Sequence, residues 1–259
     1  MVFQKNIPLK KYTTFKIGGP AEYFFAAKNK TDLVRAIKNA KERRLPFFVL
    51  GGGSNLLISD EGYKGLVIKA GKPLSSYILK GLGWAAGIPG TIEGAVYGNA
   101  GAFGQSMKNA VEKVEVFDIK DGKIKTFNNK DCQFDYRDSV FKRNKNLIIL
   151  SVKIKQKKSN LKKIKEYLAY RKKIQPLDFP SAGSVFKNPK NYPAGELIEK
   201  AGLKGKRIGG AQISDVQANF IVNMGDATAQ DVLSLIRLIK KTVDRKFKIK
   251  LEEEIAFLH

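Results

Sequence analysis

The chain holds one cysteine, one histidine and one tryptophan in 259 residues, and its 24 acidic residues face 48 basic ones. Each scarcity excludes something. A lone thiol, Cys132, cannot close an internal disulfide, which fits a reducing cytoplasm. The only imidazole belongs to His259, so the fold has no histidine-based metal centre and no Ser-His-Asp triad; no metal site is expected. No apolar run approaches the roughly 20 residues of a membrane helix, and residues 1–16 carry lysines without the apolar core of a secretion signal. No Gly-Lys-Ser/Thr follows a glycine loop and no G-x-G-x-x-G opens a helix, so the P-loop and the dinucleotide fingerprint are both absent.

What remains is globular: 43% of the residues are hydrophobic, enough for one large or two modest domains. The net charge of +24 attracts polyanions, whether nucleic acid, anionic lipid or phosphorylated small molecules. Basic residues thicken over 142–173, where Leu161, Ile164 and Leu168 run at helical spacing beside lysines. A solvated helix face is the preferred reading there, ahead of a nucleic-acid groove.

Residues 84–104 contain six glycines and one charge, Glu93. Glycine loses more backbone freedom on folding than any other residue, so such a run marks a close approach of bare backbone. Gly87-Ile88-Pro89-Gly90-Thr91 reads as a sharp turn whose N–H groups can cradle an anion. A closely packed helix, with glycines three and four apart on one face, is the alternative. Gly51-Gly52-Gly53-Ser54-Asn55 follows a short apolar strand (46–50) and suits a pyrophosphate or an ordinary turn.

Elsewhere, helices are expected over 31–44 (capped by Asn29 or Thr31), from 74 to 80, over 161–174, 196–201 and 228–247, the last with Thr228 and Asp231 as a capping pair. Strands are expected over 22–27, 46–50, 66–69, 114–119, 123–127, 147–154, 220–223 and 249–255, with Asp121-Gly122 turning a hairpin. The fold class is α+β, and a boundary is expected near residue 158.

In order, Thr14 to Ala21, Gly51 to Leu57, Ala86 to Thr91, Gly98 to Gly104, Tyr136-Arg137-Asp138-Ser139, Gly183 to Pro189, Ala218 to Asn223 and Leu251 to Ile255 resemble the bacterial UDP-N-acetylenolpyruvoylglucosamine reductases of peptidoglycan synthesis. The resemblance implies a two-subdomain FAD-binding module of the vanillyl-alcohol-oxidase (PCMH) type over 1–157 (subdomains about 1–65 and 66–157). An α+β substrate-binding domain would follow over 158–259, its last strand (249–259) packing back on the FAD module. It implies FAD and NADPH as cofactors and UDP-N-acetylglucosamine enolpyruvate as substrate. A cytoplasmic monomer without nucleic-acid or membrane partners is expected.

The resemblance also implies roles. Gly51, Gly52, Gly53, Ser54 and Asn55 would lie on the FAD pyrophosphate, with Gly87, Ile88, Pro89, Gly90, Thr91, Gly98, Asn99, Ala100, Gly101 and Ala102 along the cofactor. Arg137 would stabilise an enolate, Glu254 would orient the substrate carboxylate, and Ser184 would deliver a proton. Tyr136, Lys187 and Asn188 would face the substrate. Pattern alone allows duller roles: Arg137 in a surface ion pair, Ser184 in a turn, Glu254 solvated like its two neighbours.

Three departures from the family pattern stand out. The segment between Ile68 and Gly87 is short, Glu93 replaces a glycine, and Gln217 replaces a histidine. A carboxylate beside a pyrophosphate would be repelled by on the order of 1 kcal/mol. A related flavin oxidoreductase on another substrate and a basic nucleic-acid-binding protein are the rival readings.

Overall fold

Apolar periodicity and side-chain caps place most of the regular elements, and a computed structural model describes all 259 residues. Strands β1 (Gln4–Pro8) and β2 (Pro20–Ala26) precede helix α1 (Lys30–Glu42), followed by β3 (Phe47–Leu50), β4 (Leu56–Ile58) and β5 (Tyr63–Lys69). Next come α2 (Ile92–Tyr97), β6 (Gly101–Ala102), β7 (Gln105–Ser106) and α3 (Met107–Ala110). The middle of the chain holds β8 (Val111–Asp118), β9 (Lys123–Asn128), α4 (Val140–Arg143), β10 (Leu147–Ile154) and α5 (Leu161–Ile174). The remainder supplies β11 (Ser181–Ser184), α6 (Ala194–Lys200), β12 (Arg207–Ile208), β13 (Ala211–Ile213), β14 (Phe220–Asn223), α7 (Ala229–Phe247) and β15 (Ala256–Leu258).

The fold is mixed α and β in two compact units that interleave along the chain. One contains residues 1–4, 24–52 and 65–171; the other contains 5–23, 53–64 and 172–259. Helix α5 up to Arg171 groups with the first unit, and two early segments group with the second.

In the first unit α1 begins at Asn29, whose side chain accepts from the Asp32 N–H at 2.9 Å. It leads into β3, which pairs in parallel with β5, Phe47 opposite Leu66. The antiparallel sheet β10-β8-β9 packs with α2 and α4 around Trp84, Val96, Met107, Val114 and Phe141. Burial of such side chains stabilises by roughly 1.5–3 kcal/mol each. The segment 74–80, expected as an α-helix, is a 3-10 helix, and a second 3-10 turn spans Gly83–Ala85. Leu74, Leu82, Trp84 and Ala85 of this stretch are buried in the core, and Tyr77 and Ile78 pack against it.

The second unit is built on the antiparallel sheet β11-β14-β13-β12 and on α7. Val232, Leu235, Ile236, Ile239 and Val243 of α7 join Phe15, Leu57, Phe186, Ile198 and Ile221 in one core. Thr228 and Asp231 form the expected capping box, and Asp60 accepts from the Ala229 N–H at 2.8 Å. The expected closing strand is corrected: residues 249–255 are irregular, and β15 covers only Ala256–Leu258, in parallel with β4. The cause is a change of partner. Glu252 and Glu254 bond residues 187 and 185, and Ala256 then donates to Asn55 O, so no single ladder runs the whole length.

Candidate active site

In the first unit, β3 ends in Gly51 and Gly52, which lie on the Gly87–Thr91 turn. A Cβ on Gly52 would stand 2.3 Å from Gly90 Cα, and one on Gly51 would stand 2.8 Å from Thr91 Oγ1. At Gly52 two backbone segments touch, and no other residue fits there. Gly87 and Gly90 both take positive φ, +80° and +124°, as the sharp turn requires. The N–H groups of Gly51, Gly52 and Gly90 find no acceptor in the protein, the property of a turn that receives an anion. Ile88 is half-buried between exposed Gly87 and Pro89, while Thr91 caps α2, accepting from the Gly94 N–H at 3.1 Å.

The rest of the glycine run is part helix and part hairpin, so each expectation for it holds in part. Gly94 lies inside α2, Gly98 ends it, and Ala100 donates back to Ala95 O. Gly101 and Ala102 pair with Ser106 and Gln105. Asn99 is buried with φ +43° and spends its side chain on the protein. Its amide donates to Asp135 O at 2.7 Å and accepts from the Lys108 N–H at 3.0 Å. Only its backbone remains to meet a cofactor.

Those bonds tie the glycine run to the turn that carries Arg137. Asp135 and Asp138 exchange both backbone bonds at 3.1 Å, and Arg137 between them sits at φ +54°. A non-glycine residue held there stores on the order of 1–2 kcal/mol. Arg137 Nη2 donates to Gly101 O at 3.2 Å, and its guanidinium lies 5.4 Å from the ring centre of exposed Tyr136. Asp138 pairs with Arg143.

Glu93 has a defined occupation. Its carboxylate accepts from the Lys72 N–H at 2.9 Å and packs against Gly71. Leu74 N–H to Gly90 O and Ile92 N–H to Lys72 O zip the short segment onto the glycine turn beside it. Burial pushes the Glu93 carboxyl above its usual range, partly offset by backbone donors and by Lys72 and Lys69.

In the second unit, Gly53 (φ +62°) lies so close to Tyr12 O that a Cβ would stand 2.2 Å away. Ser54 leads to Asn55, whose amide donates to Glu254 O at 3.0 Å. Ser184 lies at the end of β11, opposite Phe220, after a break in register between Ser181 and Ser184. Gly183 supplies φ +79° within that break. A bulge of this kind re-aims the side chain that follows it. Glu254 N–H donates to Val185 O at 2.8 Å, so Ser184, Glu254 and Asn55 are brought together along the backbone. Lys187 pairs with Glu252, and Asn188 accepts from the Ala194 N–H at 2.9 Å.

Two positioning residues escape sequence reasoning. Buried Asn219 clips Phe186 on both sides, accepting its N–H at 3.0 Å and donating to its carbonyl at 2.9 Å. This holds the 184–187 segment; an asparagine immediately before an apolar strand was the available signal. Arg171 in α5 is the other and carries no local signal. Gln217, in the family's histidine position, packs on Gly195 and accepts from the Asn219 N–H at 3.3 Å, so it supports the clip.

Comparison with known proteins gives the family. Residues 175–258 match the family model described as UDP-N-acetylenolpyruvoylglucosamine reductase, C-terminal domain. The UDP-N-acetylenolpyruvoylglucosamine reductase of Caldanaerobacter subterraneus subsp. tengcongensis is 43% identical over 282 aligned positions, covering 98% of this chain and 92% of the relative. That of Caldicellulosiruptor bescii is 43% identical over 285, covering 99% and 90%. Both alignments are longer than the 259 residues of this chain, so it lacks residues that its relatives carry. The crystal structure of UDP-N-acetylenolpyruvylglucosamine reductase (MurB) from Thermus caldophilus superposes with a TM-score of 0.85 at 35% identity over 100% of both chains. With the whole length matched at this identity, the chain belongs to the UDP-N-acetylenolpyruvoylglucosamine reductase family.

Proposed function

We propose that this chain binds FAD and, with NADPH as donor, reduces UDP-N-acetylglucosamine enolpyruvate to UDP-N-acetylmuramate, as a cytoplasmic monomer without nucleic-acid partners. The observation that carries this reading is the 43% identity over 98% of the chain. No helix is long and apolar enough to cross a membrane. A flavin module of the vanillyl-alcohol-oxidase type over 1–157 and a substrate-binding part over 158–259 belong to the same proposal.

The residues present fit a dinucleotide. The unpaired N–H groups of Gly51, Gly52 and Gly90 suit a pyrophosphate, and Arg171 keeps a buried Nε without an acceptor. FAD, when bound, accepts hydride from NADPH and passes it to the vinyl carbon of the substrate. Everything else falls to the protein. Hydride addition at C3 places negative charge on C2 and the adjacent carboxylate, and Arg137 supplies the fixed cation that stabilises it; such preorganised charges contribute about 3–4 kcal/mol each. Its strained turn, tied to Gly101 and Asn99, removes the freedom to swing away. Ser184 delivers the C2 proton; a weak acid in this role must be held close, and the bulge at Gly183 does so. Glu254, anchored through Val185 and Asn55, orients the carboxylate end of the substrate. Tyr136, Lys187 and Asn188 face the sugar nucleotide.

The absorbance spectrum of the purified protein tests the reading. Flavin bands bleached anaerobically by NADPH and restored by the enolpyruvyl sugar nucleotide are expected. Protein that stays colourless with excess FAD would overturn it, and bands restored by oxygen but not by that substrate would assign it to another flavin reaction.

A further inference from the structure

Helix α5 buries one side chain, Arg171, near its C-terminal end, where Leu168 and Arg171 pack on Gly87. The N-terminal end of the helix is built differently. Leu161 there is 63% exposed, and Lys162, Lys163 and Lys165 around it are exposed as well. Lys157 and Lys158, just before the helix, also stand in solvent. Residues 155–165 contain no acid, and none of these lysines pairs with a carboxylate.

A second exposed leucine is fastened beside them. The Lys157 N–H donates to Lys80 O at 3.2 Å, the Gly81 N–H to Ser159 Oγ at 3.2 Å, and Ser159 Oγ to Ile78 O at 2.5 Å. These bonds hold the 78–81 stretch against the entry to α5, and with it Leu79, which is 62% exposed. Lys80 adds a further exposed cation, 5.7 Å from the centre of the Tyr77 ring. A solvated helix face accounts for the lysines and leaves the two leucines without a purpose.

The charge and the side-chain types select the occupant. A second copy of this chain would bring like charges face to face, which is strongly unfavourable. Nucleic-acid grooves favour arginine forks and aromatic platforms, whereas here every cation is a lysine and the exposed apolar groups are aliphatic. Acyl chains suit leucines, and lysine stems extend along an apolar boundary while their ammonium groups reach headgroup phosphates. We infer that the N-terminal end of α5, with the 78–81 stretch, attaches the protein reversibly to the surface of an anionic lipid bilayer. Leu79 and Leu161 enter the headgroup boundary, the lysines meet the phosphates, and no segment crosses. The inference departs from the expectation of no membrane partner and is independent of the proposed reaction.

The test is co-sedimentation with vesicles at about 0.15 M salt. Wild-type protein sediments with vesicles of equal parts phosphatidylglycerol and phosphatidylcholine, and stays in solution with phosphatidylcholine alone. Each lysine near an anionic surface strengthens attachment by about fivefold, so Lys162→Gln/Lys163→Gln/Lys165→Gln binds about a hundredfold more weakly. Leu79→Ser/Leu161→Ser keeps every charge and binds about tenfold more weakly. Wild-type protein that sediments with neither kind of vesicle would overturn the inference. Binding lost with the lysines but unchanged without the leucines would reduce it to diffuse attraction by a chain of net charge +24, and overturn it too. A DNA duplex bound more tightly than the anionic vesicles, and released by the lysine substitutions, would make the patch a nucleic-acid site instead.

Discussion

Ser184 follows a glycine at φ +79° in a broken ladder, while the residues after it are clamped by Asn219 and Glu254. Under the proposed function, a serine so presented acts on one step only. In Ser184→Ala, stopped-flow reduction of the bound cofactor by NADPH proceeds at the wild-type rate, and reoxidation by the enolpyruvyl substrate slows by about 10²–10⁴-fold. Equal slowing of both half-reactions would show that the serine supports the fold instead. The lone thiol takes no part. Cys132 is buried, its pKa is pushed up to about 12 by burial, and its Sγ reaches Asn128 O at 3.3 Å.

Between elements, Glu93 joins the first turn of α2 to the short segment after β5. The carboxylate accepts from the Lys72 N–H and closes the Gly71-Lys72 turn. Because burial raises its folded-state pKa, the folded protein binds more protons than the unfolded chain above the ordinary glutamate value. Stability is then full at lower pH and falls as pH rises through the raised pKa. Glu93→Gln keeps an acceptor for the Lys72 N–H and drops the charge, so it raises Tm at neutral pH and flattens this decline; a lower Tm at pH 7 than wild type would refute the account. Elements with strong apolar periodicity and local caps, α1 behind Asn29 and α7 behind Thr228, were legible in the sequence because their signals are local. Residues 249–255 alternate like a strand yet form none, since their partners change midway, and nothing in the local pattern records that. The catalytic assignments reached Ser184, Arg137 and Glu254 only through the family resemblance. Arg171 looked like one more cation in a lysine-rich helix, because burial is a property of the fold.

At the scale of the molecule, the charge of +24 meets ligands that are all anions under the proposed function. Long-range attraction of this kind is screened as the Debye length contracts from about 30 Å at 0.01 M salt to about 8 Å at 0.15 M. A several-fold fall in kcat/KM for the sugar nucleotide is expected across that range, with kcat little changed; a salt-independent kcat/KM would mean that the lysines serve solubility alone. The interleaving of the two units has a consequence for biogenesis. The unit that holds Ser184 and Glu254 also needs residues 5–23 and 53–64, and β4 stays unmatched until Ala256–Leu258 arrives beside it. A ribosome therefore delivers those early stretches long before their partners exist, leaving an apolar edge open to other nascent copies. The serine-bearing half therefore closes only once residues 256–258 have been made, and until then its early stretches wait without their partners.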